Sequence, residues 1–161
     1  MKFYTGVTRE RIPSFPVLYM RRTGAYGQEN HALMETFKQW IRENGLEPDG
    51  IYAMALDNPA ATAPGKCRYD VCIRQPRNRE PDLSRVSSRV LPGGWYAVFV
   101  IPHTADGVQK AWLECFPELE RLGYRLDCSR PVMERYQPHL VDAHLCELCL
   151  PVLEGFGGPL L

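Results

Sequence analysis

Two acidic residues stand in short segments whose other side chains are mostly apolar. Glu147 lies in the segment 145–150 (LCELCL), and Asp70 begins the segment 70–73 (DVCI). A carboxylate among apolar neighbours is costly unless it is paired or receives a cation. Such surroundings also raise the pKa of a carboxyl group, which suits a general acid or base. Both acids are therefore candidate ligand-binding residues, and Glu147 is also a candidate catalytic residue.

Alternation along a strand predicts the direction in which Glu147 points. Cys146, Leu148 and Leu150 share one face of the strand, and Glu147 and Cys149 share the other. Because the apolar face should lie beneath a helix, we expect Glu147 to project from the helix-free face. The alternative is a solvent-exposed glutamate on a half-wet antiparallel strand, which is common.

The same alternation applies to Asp70. It places Asp70 on a helix-free face and the neighbouring Tyr69 on the opposite, helix-covered face. Asp70 is flanked by Arg68 and Arg74, so an ion pair within the strand is the favoured interpretation and a ligand contact is the alternative. If two similar sheets meet about a pseudo-twofold axis, both acids point into a shared groove.

The elements that must position these acids occur twice in the same order, strand, helix, strand, strand. In the first half they are residues 16–23, 28–44, 51–56 and 67–75. In the second half they are residues 95–101, 107–122, 131–136 and 144–150. The polar segment 76–83 is interpreted as the linker. The pattern predicts a single α+β domain over residues 1–161, a duplicated βαββ module with pseudo-twofold symmetry and two antiparallel sheets around a central cleft. Repeat one spans about 16–76 and repeat two about 94–152.

Aromatic residues are abundant, at 11% of the chain, and they are candidate walls for a ligand site. Phe37 and Trp40 lie on the apolar stripe of the first helix and are predicted to be core. Ring faces bind organic cations, so the other rings are candidates for ligand contact, although core packing is the alternative for each. The candidates are Tyr19, Tyr26, Tyr69, Trp95, Trp112 and Tyr136.

Composition excludes several classes of protein. The chain has 161 residues, with 19 basic and 19 acidic side chains, so binding of nucleic acid through a diffuse basic field is not expected. It lacks both an apolar run of about 20 residues, which a membrane span needs, and an apolar signal core. We therefore predict a cytoplasmic protein without direct nucleic acid or membrane contact.

Cys146 and Cys149 have the spacing of a redox or zinc pair. Residues three apart on a strand point to opposite faces, however, and the segment has neither a turn between the two cysteines nor a second pair downstream. Buried free thiols are the preferred interpretation, and neither a metal nor a cofactor is predicted.

Several short motifs, taken in order, resemble the GyrI-like small-molecule-binding proteins. That family includes the bacterial DNA gyrase inhibitory protein and the effector-binding domains of AraC-type and MerR-type multidrug regulators. The motifs are 21–26 (RRTGAY), Trp40, 57–59 (DNP), 68–70 (RYD), 92–94 (PGG), 96–98 (YAV), 110–112 (KAW), 133–136 (MERY) and 146–152 (CELCLPV). The resemblance implies the duplicated fold, a cleft between the repeats, and an acid on the last strand that meets lipophilic cations. Glu147 occupies that position.

Three functions remain open from the sequence. The leading one is a stand-alone protein that binds a small amphipathic or cationic compound in the cleft between the repeats, in a role that modulates DNA gyrase or protects against toxins. A complete one-component regulator is not expected, since no helix-turn-helix segment precedes the first strand. The second is a hydrolase of a strained small molecule, with Glu147 as acid or base and Tyr136 or Tyr26 as its hydrogen-bond partner. The third is an interaction module that acts on gyrase without a ligand.

Overall fold

A computed structural model describes residues 1–155, which contain eight strands and three α-helices. The helices are α1 (Gln28–Glu43), α2 (Ala105–Arg121) and the short α3 (Pro138–Asp142). The strands are β1 (Gly6–Ile12), β2 (Phe15–Thr23), β3 (Ile51–Ala55), β4 (Arg68–Arg74), β5 (Ser87–Leu91), β6 (Gly94–Pro102), β7 (Met133–Tyr136) and β8 (Leu145–Val152). Over these residues, none of the helices combines the length and apolar character that a membrane crossing requires.

The first unit comprises Phe15–Leu91 and contains four paired antiparallel strands. Its strand order is β3-β4-β2-β5. Helix α1 packs on β2 and β4 through a stripe that includes Phe37 and Trp40, both of which are buried as predicted. Gly45 follows the C-terminal end of the helix, and its φ of 61° lies in the left-handed region that glycine adopts without strain.

The second unit comprises Met1–Ser14 together with residues 92–155, and it contributes four antiparallel strands. The strand order is β7-β8-β6-β1. One face of these strands and helix α2 enclose a core that contains Phe99 and Leu148 from the strands and Ala111 and Cys115 from the helix. Cys146, Leu148 and Leu150 all belong to this core, so the predicted helix-covered face of the last strand is confirmed.

The predicted α+β class with antiparallel strands is confirmed, whereas the prediction of two separate sheets around a cleft is not confirmed. The strand order within the two units is the same. In each unit the order runs from the middle strand through the last strand and the first strand to an outer edge strand. That edge strand is β5 in the first unit and β1 in the second. Neither edge strand was predicted, because both sequences are rich in charged and polar residues, as is typical of edge positions.

The cysteines are mostly buried. Of the six, five are buried and Cys128 is exposed. Burial raises the pKa of both Cys146 and Cys149 to about 12, which leaves these thiols protonated and unreactive at neutral pH. Within residues 1–155, no three metal-ligating side chains of the His, Cys, Asp or Glu type are grouped closely enough to hold an ion.

Acid should destabilise the second unit through Glu118, on the last turns of α2. Its carboxylate accepts hydrogen bonds from Arg121, at 2.6 and 2.8 Å, and from the hydroxyl of Tyr4. The hydrogen bonds from Arg121 are the main reason that the pKa of Glu118 falls to about 2, and the hydrogen bond from Tyr4 contributes to this decrease.

A carboxyl whose pKa is lowered on folding stabilises the protein above its unfolded pKa and stops doing so as pH falls through its folded pKa. We therefore expect the free energy of unfolding, measured by urea denaturation, to decrease as pH falls from about 4.5 to about 2. Glu118→Gln should make this decrease shallower. An unchanged pH dependence in the variant would show that Glu118 does not contribute.

Candidate functional site

The first candidate site is a carboxylate held by aromatic side chains. Glu134 on β7 accepts a hydrogen bond of 2.7 Å from Nε1 of Trp112 on α2 and another from the hydroxyl of Tyr136. Glu134 and Tyr136 are two residues apart on one strand, so alternation places them on the same face. Trp112 and Tyr136 both pack against the core of the second unit, which fixes the positions of the two donors.

This cluster can receive a ligand because its members are only partly buried. Glu134, Trp112 and Tyr136 each retain exposed surface, and the ring of His103 lies 5.2 Å from that of Tyr136. An indole N–H and a phenol O–H are neutral donors, so they orient the carboxylate without neutralising it. A negative charge beside ring faces is the arrangement that binds an organic cation.

The second candidate site surrounds Glu147 and is an ion network. Arg135 donates from Nε and Nη2 to the two oxygens of Glu147, at 2.8 and 3.0 Å. The same guanidinium donates from Nη1 and Nη2 to Glu10 on β1, at 2.9 and 3.0 Å. The side-chain amide of Gln137 also donates to Glu147. Glu147 therefore has an internal counter-ion.

Burial and hydrogen bonding act in opposite directions on this network. Burial by itself would lower the pKa of Arg135, but the hydrogen bonds to Glu10 and Glu147 raise it, and the guanidinium stays charged. The hydrogen bond from Arg135 is the main reason that the pKa of Glu10 is lowered. One guanidinium faces two carboxylates, so the group carries a net charge of about −1 when all three are ionised.

The structure does not bring Tyr136 to Glu147 as the sequence-based hydrolase hypothesis required. Arg135 is paired with Glu147 across the sheet, and its chain neighbour Tyr136 points to the opposite face by alternation. The hydroxyl of Tyr136 is bound to Glu134 instead. The hydroxyl of Tyr26 donates to the backbone carbonyl of Arg68 in the first unit.

Asp70 has no exposed surface, and its ion pairs run between strands rather than along its own strand. Arg21 on β2 donates from Nε and Nη2 to its two oxygens at 2.6 and 3.0 Å, and Arg89 on β5 donates at 2.7 Å. The flanking arginines that the sequence suggested as partners are engaged elsewhere, Arg68 with Asp57 and Arg74 with Asp49. The expectation of an intrastrand ion pair was wrong because neighbouring strands supply closer guanidinium groups.

The remaining aromatic candidates occupy different surroundings. Tyr19 lies between the guanidinium groups of Arg21 and Arg89, at 5.3 and 5.1 Å from its ring centre. Trp95 packs against the core of the second unit and carries the guanidinium of Arg9 on its ring at 4.6 Å. Tyr69 is half-buried on the face of β4 opposite to Asp70. Only Trp112 and Tyr136 among the described candidates contact the carboxylate of Glu134.

Glu134 is the residue that sequence reasoning missed. Its segment, 133–136, contributed to the family resemblance, but the carboxylate itself was not singled out. Its i, i+2 spacing to Tyr136 on a short strand was the available signal, since such pairs share a face. The contact with Trp112 had no signal, because it depends on how α2 docks on the sheet.

Comparison with known proteins places the chain among relatives of similar length. It is 35% identical over 148 residues to the SPbeta prophage-derived putative transcriptional regulator YosT of Bacillus subtilis, covering 91% of this chain and 98% of that one. It is 29% identical over 119 residues to a DNA gyrase inhibitor of Pectobacterium carotovorum, covering 71% and 76% of the two chains.

Two solved structures share the fold at low sequence identity. The EcmrR C-terminal domain matches with a TM-score of 0.68 and 16% identity, covering 94% of this chain and 99% of that one. SAV2435 bound to tetraphenylphosphonium matches with a TM-score of 0.65 and 16% identity, covering 93% and 95%. A family model for the GyrI-like small molecule binding domain matches residues 7–153. The chain therefore belongs to the GyrI-like small-molecule-binding family.

Proposed function

We propose that this protein binds a small lipophilic cation at the cluster formed by Glu134, Trp112 and Tyr136. The observation that carries the proposal is the half-buried carboxylate of Glu134, whose hydrogen-bond donors, an indole and a phenol, are both uncharged. Its negative charge therefore remains available to a ligand. Each ring face adds about 0.5 to 2 kcal/mol of cation–π attraction, depending on how far the cation is desolvated.

One structural neighbour supports a lipophilic cation as the ligand class. SAV2435, which shares the fold, is bound to tetraphenylphosphonium in its solved structure. A phosphonium ion cannot donate a hydrogen bond, so a site for it must supply negative charge and apolar or aromatic surface. The cluster around Glu134 supplies both within the second unit.

Glu147 has a different part in this proposal. Its oxygens are held by Arg135 and Gln137, and it retains only 7% of its surface. We assign it to the stability of the network with Arg135 and Glu10, whose net negative charge also favours a cation nearby. A direct ligand contact by Glu147 stays a prediction, and the titration described below distinguishes the two carboxylates.

We also propose that the two units derive from one duplicated module. Both have the strand order middle, last, first, edge. Asp70 and Glu147 stand at matching positions of the last strand, each buried and each bound to arginine. This similarity supports the repeat that the order of elements in the sequence suggested.

Isothermal titration with tetraphenylphosphonium tests the proposed binding function. We expect one ion to bind per chain, with an affinity that falls in high salt because the carboxylate is screened. Mass spectrometry of the recovered ligand, and of a strained cyclopropane-type compound incubated with the protein, tests hydrolysis in parallel. Absence of binding at millimolar ligand would contradict the proposal, and formation of a hydrolysed product would replace it with the enzyme hypothesis.

Action on DNA gyrase is a finer proposal, supported by the name of the Pectobacterium relative. If the protein acts on gyrase, adding it at equimolar concentration should inhibit ATP-dependent supercoiling of a relaxed plasmid. Repeating the assay with saturating tetraphenylphosphonium separates ligand-dependent from ligand-independent inhibition. Unchanged supercoiling at a tenfold molar excess of protein would contradict this proposal without affecting the binding function.

A further inference from the structure

A cavity of about 500 Å³ opens beside β2 in the first unit. Cavities of about 300 to 1,000 Å³ hold small organic ligands. Two of its lining residues carry guanidinium groups, one a phenol and one an aliphatic hydroxyl, and two are apolar. They are Tyr19, Met20, Arg21, Leu33, Arg85 and Ser87.

The charge that this cavity presents is positive. The carboxylate of Asp70 has no exposed surface and is held by Arg21 and Arg89. Those two arginine side chains keep 32% and 27% of their surface exposed. The guanidinium groups are therefore accessible to solvent, and the carboxylate of Asp70 is not. Of these two arginines, only Arg21 lines the cavity, and Arg85 contributes its second guanidinium. The contact of Arg85 with Glu43 is long, at 3.9 Å between half-exposed groups. Such a pair is worth little in water, so Arg85 is available to a ligand.

The matching positions of the second unit have the opposite charge balance. Arg89 pairs with Val17 of β2, which lies four residues before Arg21, the residue that pairs with Asp70. Glu10 pairs with Tyr96 of β6, which lies four residues before Val100, the residue that pairs with Glu147. The edge-strand position is thus inverted in charge, while the third member comes from the first strand in one unit (Arg21) and from the middle strand in the other (Arg135). The first unit therefore places two guanidinium groups around one carboxylate. The second unit places two carboxylates around one guanidinium. The same topology thus carries a cationic group in one unit and an anionic group in the other.

We propose that the cavity of the first unit binds a small organic anion. Its acidic head, a carboxylate or a sulfonate, contacts Arg21, Arg85 and the hydroxyl of Ser87, because guanidinium groups bind planar and tetrahedral oxyanions through paired N–H donors. The body of the ligand packs on the ring and apolar side chains of the cavity wall, namely Tyr19, Met20 and Leu33. This site and its ligand class differ from those of the proposed cation site.

Isothermal titration of the full chain with naphthalene-1-sulfonate tests the inference. Ser87→Asp places a carboxylate on the cavity wall, and we expect it to weaken sulfonate binding at least about tenfold. Arg85→Gln, at an exposed position outside the strands, should weaken binding about fivefold. Arg42→Gln, an exposed arginine on α1 outside the cavity, is the matched control and should bind within twofold of wild type.

A second ligand separates this inference from the proposed cation site. N,N,N-trimethyl-1-naphthylammonium has the same ring system with the opposite charge, and Ser87→Asp should leave its binding unchanged. Glu134→Gln should weaken the cation and leave the sulfonate unaffected. If naphthalene-1-sulfonate fails to bind, or binds Ser87→Asp and Arg85→Gln as tightly as wild type, the cavity is not an anion site. That result would leave the cation site as an independent question.

Discussion

Replacing Glu134 by glutamine should weaken the binding of tetraphenylphosphonium about thirtyfold. Glutamine keeps the size of the side chain and an oxygen that accepts the hydrogen bond from Trp112, so the variant removes mainly the charge. Two unit charges about 6 Å apart interact by about 3 kcal/mol at an effective dielectric constant of about 20. Desolvation of the partners offsets part of this, which leaves a net loss of about 2 kcal/mol.

Two further variants make this result specific. Glu114→Gln removes an exposed carboxylate from α2 that contacts Lys110 at 3.9 Å, and it should bind the cation within twofold of wild type. Glu147→Gln should also bind within about threefold, because the charge it removes is already held by Arg135. If Glu147→Gln loses more affinity than Glu134→Gln, the carboxylate that binds the cation is Glu147 on β8, and our assignment of the site is wrong.

Replacing Arg135 by methionine should cost about 3 kcal/mol of the free energy of unfolding. Methionine fills much of the space of the arginine stem, but it leaves Glu147 buried without a counter-ion and removes the partner of Glu10. Removing one partner of a buried ion pair typically costs about 3 to 5 kcal/mol, far more than the loss of an exposed pair. Urea denaturation at neutral pH measures the change.

The companion variants distinguish buried charge from lost packing. Adding Glu147→Gln to Arg135→Met should restore at least half of the lost stability, since no uncompensated buried charge then remains at position 147. Glu10→Gln alone should cost only about 1 kcal/mol, because Glu10 is 41% exposed and Arg135 keeps its bonds to Glu147. An Arg135→Met variant as stable as wild type would show that the network does not hold the second unit together.

Strand alternation predicted the orientation of the last strand because it depends only on local backbone geometry. Cys146, Leu148 and Leu150 form part of the core, and Glu147 with Cys149 lies on the other face. The charged partners of Glu147 could not be predicted in the same way. They depend on the register that sets Arg135 opposite Glu147. They also depend on the pairing of β1 with β6, which brings Glu10 to Arg135 although the two are 125 residues apart in the chain.

The amphipathic helices and apolar strands were predictable because burial imposes a period on their sequences. The edge strands β1 and β5 were not predicted, because an edge strand tolerates charged side chains on both faces. Their omission mattered for the sites, since β1 supplies Glu10 and β5 supplies Arg89. The sequence could have indicated only part of the cluster around Glu134, namely Tyr136 two residues away on the same strand. The contact with Trp112 depends on the packing of α2 against the sheet.

A crystal structure with tetraphenylarsonium tests the central claim most directly, because arsenic scatters anomalously and marks the position of the cation. We predict one anomalous peak beside the Glu134 carboxylate, roughly 6 Å from it and against the rings of Trp112 and Tyr136. A peak beside Glu147 and Arg135, or one remote from every carboxylate of the second unit, would contradict the assignment of Glu134 as the ligand-binding acid.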